Sequence, residues 1–415
     1  MQIRLSVIIA ATATIAMAQL PSASTVFDKD AVHEIRLTFS QSDWWNILTT
    51  NYTENEDDVP YTEAALKWGD YKFDVVGVRF KGNSSYNGAT TKKKPFRIKL
   101  NEFVKGQKID GMASFSLSNA WNDPSFVREK PYYELAAAAG LKSPRSSFAA
   151  LYINDEYWGL YVLTEVVNGD FLKNFFGKGN DGGNLYKADD IGTSFEYLGT
   201  DPASYKTTWE KQSNEDADDW TDLIQLCKTL NEATADDIEA KLDPLIDIDS
   251  VLTALALDNL TVNLDSYVSM GQNFYIYRRT TDSKFVWIPW DPSLAFGALS
   301  QGLTIQQMKE LALEYVQASG AAAGGQGGSQ QAGRPLATKL WQSAKYKQRY
   351  REIYAQMVEK VLIPDTLIAR MTALREMIRP WVVADTQKLV TQDQFDQAMT
   401  TDMTSSAGGG GTTNP

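Results

Sequence analysis

The stretch "FVWIPWDPSLAFG" (Phe285–Gly297) joins an aromatic, branched run to a single acid, Asp291, followed by a proline. The run up to Trp290 predicts a buried strand. A carboxylate at the end of such a strand is costly unless something pairs with its charge. The stretch therefore raises the question of what neutralises Asp291.

The composition of the whole chain limits the classes of function. Its 415 residues suffice for two domains or one large enzyme fold, and a hydrophobic content of 43% excludes a mainly disordered chain. A formal charge of −12 argues against binding of nucleic acid, whose phosphate backbone needs clustered Lys and Arg. A nucleotide site remains compatible with this charge, because it needs only a few cations.

The N-terminus has the pattern of a secretion signal. Residues 1–18 combine a positive charge, a short apolar core and the small-residue cleavage site Ala16–Ala18. A membrane anchor would need about 20 apolar residues, more than this stretch offers, and no later segment predicts a transmembrane span. We therefore expect a secreted protein or one at the cell or spore surface.

Two residue types that often carry chemistry occur once each. A single cysteine, Cys227, excludes an internal disulfide, and its place on an amphipathic helix predicts a buried thiol. The only histidine, His33, lies in a strand-like alternation and is interpreted as structural. A His-rich metal site is therefore excluded.

Strand patterns dominate the first third of the chain and helical patterns the last third, which predicts an α+β fold. Hairpins are expected to turn at Asn154-Asp155 and around Thr281–Ser283. We divide the chain into a strand-rich part over 26–165 and a mainly helical part over 166–400. A Gly-rich insert at 319–333 interrupts the second part, and a disordered tail follows at 401–415.

The order of elements and acids is that of a bilobal protein kinase. A strand ending in Lys99 precedes a helix with Glu129 and Glu134, and an Asp265–Asn273 loop and a hairpin then lead to Asp291. The usual strings G-x-G-x-x-G, H-R-D and D-F-G are absent.

The chain resembles the CotH spore-coat proteins, which are atypical secretory protein kinases. The similarity lies in "VRFKGNSSY", "KKPFRIKL", "NAWNDPSFVREKPYYELAAAAGLKSPR", "LYINDEYWGLYVLTE", "GGNLYK", "NLDSY", "NFYIY" and "WIPWDPSLAFG", in this order. The resemblance implies an atypical kinase-like fold with a strand-rich N-lobe and a helical C-lobe. It also implies ATP-dependent phosphorylation of Ser or Thr in secreted or coat proteins, with Mg²⁺ or Mn²⁺.

Three residues form the expected catalytic and metal site. Asp291 and Asn273 would hold the divalent ion, and Asp265 would orient the attacking hydroxyl and accept its proton. A structural role is open for each: Asp265 could cap a turn, Asn273 could bond the backbone and Asp291 could pair with an arginine.

Several charged residues are candidates for contacts with ATP. Lys99 is our choice for the phosphate-contacting cation, with Glu134 or Glu129 as its ion-pair partner. Arg128 is a second cation candidate.

Backbone contacts with ATP are expected at two further places. The loop with Gly82, Asn83 and Ser84 could approach the phosphates, although an ordinary hairpin turn fits it equally. Glu165 lies where a kinase hinge would meet adenine. Among the glycosylation sequons, Asn51 is the expected glycan acceptor.

Two departures from the family pattern bear on activity. The family usually has an acid at the position of Ser293 and often a histidine at that of Gln272. A surface adhesin that engages host-cell receptors and a structural coat protein therefore remain alternatives to an active kinase.

Overall fold

The computed structural model describes residues 26–27, 30–55, 58–189, 191–317 and 333–401. The expected secretion signal at 1–18, nearly all of the Gly-rich insert and of the tail lie outside these ranges. The strands are β1 (Val32–Thr38), β2 (Thr62–Trp68), β3 (Tyr71–Phe80), β4 (Phe96–Lys99), β5 (Ser114–Ser118), β6 (Ser146–Ile153), β7 (Glu156–Glu165), β8 (Leu185–Ala188), β9 (Trp209–Lys211), β10 (Phe274–Arg278) and β11 (Phe285–Pro289). The helices are α1 (Trp44–Glu54), α2 (Ser84–Asn87), α3 (Glu129–Ala138), α4 (Gly169–Phe176), α5 (Thr221–Glu232), α6 (Ile238–Leu242), α7 (Ile248–Leu260), α8 (Ile305–Lys309), α9 (Pro335–Leu340), α10 (Ala344–Lys360), α11 (Pro364–Ala384) and α12 (Gln392–Gln397).

The first seven strands close into a barrel in the order β1-β2-β3-β4-β5-β7-β6. Neighbouring strands are antiparallel except β1 and β6, which pair in parallel and close the barrel. Inward side chains such as Phe80, Phe96 and Ile98 are fully buried in its core. The sequence predicts the strand that ends in Lys99 and the β6–β7 hairpin, but not β2, β5 or this closure.

A second sheet of four strands, in the order β11-β10-β8-β9, belongs to the helical part. Trp287 of β11 stacks on Phe274 of β10 with ring centroids 4.1 Å apart, within a core shared with α5, α7 and α10. The buried strand expected before Asp291 is thus confirmed as β11, fully buried over Phe285–Pro289.

Both expected hairpins are confirmed. Asn154 and Asp155 connect β6 to β7 with φ of 50° and 66°, the left-handed values of a type I′ turn. The β10–β11 hairpin turns at Thr281–Ser283. The α+β class is confirmed as well, and the thiol of Cys227 is buried.

The C-terminal helices return to the barrel. Leu374, Ile378 and Val382 of α11 pack with Phe148 of β6 and Val162 of β7 in one buried cluster. Among the described residues, no helix is long and apolar enough to cross a membrane. Lys81, which belongs to the candidate site, directly follows β3 of the barrel.

Candidate functional site

The loop after α7 brings Asp265 and Asn273 together. Asn273 Nδ2 donates to the backbone oxygen of Asp265 at 2.7 Å and to its carboxylate at 3.0 Å. Gln272 Nε2 donates to the same carboxylate at 2.5 Å. Both amides therefore fix the orientation of Asp265, and Gln272 does so at the position where the family often has histidine. The expected backbone bond of Asn273 is present, while its side-chain oxygen accepts no hydrogen bond among the described residues.

Asp291 follows β11 in a left-handed backbone conformation with φ of 44°. Such a conformation is unfavourable for a residue other than glycine and clusters at functional sites. The Asp291 amide donates to Tyr133 Oη at 3.0 Å, and the preceding Trp290 amide donates to the Asn273 carbonyl at 3.1 Å. These two bonds hold Asp291 next to Asn273, which itself has φ of 63°.

The Asp291 carboxylate has no Lys or Arg within 4.0 Å in the described ranges, so the alternative of an arginine partner does not apply. Burial, followed by repulsion from Asp291, raises the pKa of Asp265 to about 7. The two carboxylates are thus close enough to oppose each other's ionisation. A cation between them would relieve this repulsion.

Helix α3 adds a third carboxylate, Glu129, which is 4% exposed. Thr164 Oγ1 of β7 donates to Glu129 Oε2 at 2.9 Å. Burial and the charge of Asp291 raise the pKa of Glu129 to about 8, and Lys81 opposes this rise. Glu129 therefore faces Asp291 from the barrel side.

Lys81, the residue directly after β3, is the cation of this cluster. Burial lowers its pKa, while Asp291 and Glu129 oppose this shift. Its Nζ lies 5.6 Å from the ring centre of Trp290. Within the described chain, Lys81 forms no ion pair closer than 4.0 Å, so its charge is not bound to one carboxylate.

The structure does not form the expected Lys99 ion pair. Lys99 Nζ pairs with Glu102 at 2.6 Å, and the Lys99 side chain is 42% exposed. Glu134 instead pairs with Lys130 at 3.1 Å and with Arg370 of α11 at 2.6 Å. Of the two glutamates considered, only Glu129 therefore lies near Asp291.

Two further predicted ATP contacts are occupied by protein groups. Arg128 donates to Asp123 at 2.7 Å and is buried. Glu165 pairs with Arg145 at 2.7 Å, and its amide donates to the Arg145 carbonyl at 2.9 Å. The Arg128 charge is thus paired, and the Glu165 amide donates, within the protein.

The loop at Gly82, Asn83 and Ser84 is exposed and continues from Lys81. The Gly82 carbonyl accepts a bond from Tyr52 Oη, and a short helix begins at Ser84. Asn51 is half-buried in α1, and its Nδ2 lies 3.3 Å from Thr62 Oγ1. A glycan on Asn51 would have to displace this contact.

Sequence reasoning missed three residues of the cluster. Lys81 lies inside "VRFKGNSSY", ahead of the run of cations that contains Lys99. Neither Tyr133 nor Thr164 is among the predicted site residues. The spacing of Glu129 and Tyr133 by four residues on one helix was the available signal, because such residues share a helix face.

The donor set suits a hard divalent cation. Asp291 and Asn273 offer oxygens without other partners, and Mg²⁺ is commonly held by one or two protein oxygens together with substrate phosphates. No cluster of three or more His, Cys, Asp or Glu with metal-ligand geometry occurs in the described residues. The residues present therefore offer two oxygens to a divalent cation, which would need further ligands from outside the protein.

A cavity of about 580 Å³ opens elsewhere, between the start of α7 and α10. Several of its charged residues are paired, for example Lys345 with Asp243 at 2.7 Å and Arg349 with Asp249 at 2.8 Å. It contains none of the carboxylates described above.

Comparison with known families agrees with the motifs quoted from the sequence. The family described as CotH kinase protein matches residues 78–402. The chain belongs to this family. The match begins within β3 and includes Lys81, Glu129, Asp265, Asn273 and Asp291, so the resemblance seen in the sequence is confirmed.

Similar proteins include a spore coat protein and two invasins. Inner spore coat protein H of Bacillus subtilis is 24% identical over 83% of this chain and 86% of its own length. Invasin CotH2 and Invasin CotH3 of Rhizopus delemar are 22% and 24% identical over 64% and 51% of this chain. These matches span only 44% and 36% of the two invasins.

Proposed function

We propose that this protein is an ATP-dependent protein kinase that phosphorylates Ser or Thr in secreted or surface proteins. The observation that carries the proposal is the convergence of Asp265, Asn273 and Asp291, from two separate elements, opposite Lys81 and Glu129. Membership of a family described as CotH kinase protein supports it. The kinase-like arrangement of two lobes is part of this proposal, with the barrel as the N-lobe.

Each residue has a role that follows from its position. The substrate hydroxyl would attack the γ-phosphorus of ATP, its proton would pass to Asp265, and the bond from the γ-phosphorus to ADP would break. A pKa of Asp265 near 7 suits a group that takes a proton at neutral pH. Lys81 would contact the phosphates, with Glu129 orienting its ammonium group.

Asp291 and Asn273 would hold the Mg²⁺ or Mn²⁺. When bound, this ion neutralises charge on the phosphates. It would also answer the question raised by Asp291, whose carboxylate has no cationic partner within 4.0 Å in the described chain. With Ser293 in place of a second acid, we expect the ion to be held weakly without nucleotide.

The test is incorporation of labelled phosphate from ATP with Mn²⁺ by the wild type, Asp291→Ala and Asp265→Ala. We expect each substitution to reduce labelling by about 10³-fold or more, within the range of general acid–base contributions and metal-ligand loss. Asp74→Ala, an exposed acid on β3, is the matched control and should label like the wild type. Equal labelling by all four proteins would refute the assignment.

A surface-binding function is the second candidate, favoured by the similarity to the two invasins. Thermal unfolding with and without ATP and Mn²⁺ separates the two functions. A ligand that binds only the folded protein, at 100 times its dissociation constant, adds about 2.7 kcal/mol to stability. A wild type that shows neither this stabilisation nor labelling would favour an adhesin or a coat component.

A further inference from the structure

Arg97 of β4 is a cation without an acidic partner. In the described chain, no carboxylate lies within 4.0 Å of its guanidinium, and its Nε is buried without a hydrogen-bond acceptor. The buried Arg128 and the nearly buried Arg145, by contrast, are each paired with a carboxylate at 2.7 Å. Unsatisfied buried donors are rare in native structures and call for an explanation.

Strand alternation places Arg97 on the outer face of the barrel. Its neighbours Phe96 and Ile98 are fully buried in the barrel core, so the Arg97 side chain points the other way. Arg97 lies directly opposite Arg79 of β3. Like charges on opposite strand positions destabilise a sheet. Tyr61 offsets part of this repulsion, because its ring lies 5.0 Å from the Arg79 guanidinium and it also interacts with Arg97. Arg79 in addition donates to the Val59 carbonyl at 3.1 Å, and none of these partners carries a negative charge.

The outer face at Arg97 meets the second sheet. Tyr275 of β10, two residues after Asn273, is one of the groups that act on the Arg97 charge. Tyr275 packs edge-to-face on Trp290 with centroids 5.6 Å apart, and Lys81 lies over the same Trp290 ring. Arg97 also helps to lower the pKa of Lys81, so the two cations lie near each other on the outer face of the barrel.

We propose that Arg97, with Arg79 beside it and Lys81 nearer Asp291, binds the phosphate chain of the nucleotide. An arginine fork matches phosphate geometry with two parallel hydrogen bonds, and an anion there would remove the repulsion between Arg97 and Arg79. The ligand class is a polyphosphate, and the inference rests on the proposed function in taking its source to be ATP. Lys99, on the same face two residues later, is not part of this site because Glu102 already neutralises it.

The experiment measures dissociation constants of Mn²⁺·ATP, adenosine and inorganic tripolyphosphate by calorimetry. The proteins are the wild type, Arg97→Met, Arg97→Lys and the matched control Lys99→Met. We expect Arg97→Met to raise the dissociation constants of ATP and tripolyphosphate by about 10- to 100-fold, as for loss of charge-assisted hydrogen bonds. The dissociation constant of adenosine should change by less than about twofold. Arg97→Lys keeps the charge but loses the fork, so it should fall between Arg97→Met and the wild type.

Stability provides an independent readout. Because an unpaired cation is a cost to the ligand-free fold, Arg97→Met should melt at or above the temperature of the wild type without ligand. A lower melting temperature for Arg97→Met would indicate a structural role and would count against the proposal. If Arg97→Met does not fold, Arg97→Lys still carries the affinity test.

Further outcomes decide between the two proposals. The Arg97 assignment is overturned if Arg97→Met binds ATP within about twofold of the wild type, or if adenosine weakens as much as ATP. It is also overturned if Lys99→Met loses as much affinity for ATP as Arg97→Met does, or if the wild type binds neither ATP nor tripolyphosphate. A wild type that binds tripolyphosphate through Arg97 but transfers no phosphate would instead refute the kinase proposal alone.

Discussion

The Lys93–Asp385 pair and the cluster of Lys81, Glu129 and Asp291 both bring charged side chains together, but they differ in their partners. Lys93 and Asp385 are each fully buried and bonded to each other. The Asp385 carboxylate also accepts the amides of Leu160 at 3.0 Å and Gln387 at 2.9 Å. In the cluster, by contrast, Lys81 and the Asp291 carboxylate make no ion pair within 4.0 Å among the described residues.

This difference separates a charge pair that joins two elements from charged side chains that lie near each other without a direct ion pair. Lys93 lies just before β4 and Asp385 just after α11, so their bond fastens the end of α11 to the barrel. Both oxygens of Asp385 accept hydrogen bonds within the protein, and neither side chain of the pair is exposed to solvent. In the cluster, Lys81 and Asp291 lie near each other but form no ion pair within 4.0 Å in the described chain. A cation could pair with the carboxylate and a phosphate with the lysine.

Breaking the structural pair should have the largest effect on stability. Asp385→Ala leaves the buried Lys93 without a counter-charge, and we expect the free energy of unfolding to fall by about 3–5 kcal/mol in urea titrations. The double variant Lys93→Met/Asp385→Leu should recover most of this loss, because it removes both charges. Phosphate incorporation per folded molecule should stay near that of the wild type. A loss below about 1 kcal/mol for Asp385→Ala would contradict the structural role.

Asp258 sharpens the comparison, because it is a buried carboxylate bonded only to neutral groups. Its Oδ1 accepts Tyr132 Oη at 2.6 Å and Asn263 Nδ2 at 2.8 Å, and burial raises its pKa to about 6. The folded state therefore favours the protonated form. Its stabilising contribution is complete below the unfolded pKa of 3.8 and is lost as pH rises to about 6.

Asp258→Asn cannot ionise and keeps an oxygen for both bonds. Its stability relative to the wild type should thus rise by up to about 3 kcal/mol between pH 3.8 and pH 6, at about 1.4 kcal/mol per pKa unit. Urea unfolding at four pH values from 4 to 7 measures this, with Asp74→Asn as an exposed control. A difference that is the same at every pH would show that Asp258 does not titrate in this range.

The part of the site that the sequence predicted depends on local geometry. Asp265, Asn273 and Asp291 lie within one loop and one hairpin, so their convergence follows from a short stretch of chain. The choice of cation depends on the barrel instead. Alternation assigns Lys81 and Lys99 to the outer face equally well, and only the register of β3 and β4 and the position of Glu102 decide between them.

The closure of the barrel could not be predicted for the same reason. It rests on parallel pairing of β1 with β6, where Val32 lies opposite Phe148. Because β1 and β6 lie far apart along the chain, the pattern of neither strand shows that the two strands pair. Partners of charged side chains across such distances, including Lys93 with Asp385, are likewise set by the complete fold.

The smallest effect on the site is expected from removing the Tyr133 hydroxyl, a neutral group that holds the Asp291 backbone in place. Tyr133→Phe removes the hydroxyl that accepts the Asp291 amide, and an unmade bond of this kind costs about 1 kcal/mol. Because Asp291 has an unfavourable positive φ, losing this bond should let its carboxylate move away from Asn273. We therefore expect Mn²⁺ to bind the ATP complex about five- to tenfold more weakly, as measured by the electron paramagnetic resonance signal of free Mn²⁺.

Tyr132→Phe is the matched control for this substitution. Tyr132 is adjacent on α3 and equally buried, but its hydroxyl bonds Asp258 instead of the Asp291 backbone. It should lower the melting temperature and leave the Mn²⁺ affinity within about twofold of the wild type. If both variants lose Mn²⁺ affinity equally, Tyr133 acts only through the packing of α3. The hydrogen bond from the Asp291 amide to Tyr133 would then have no role in positioning the Asp291 carboxylate for the ion.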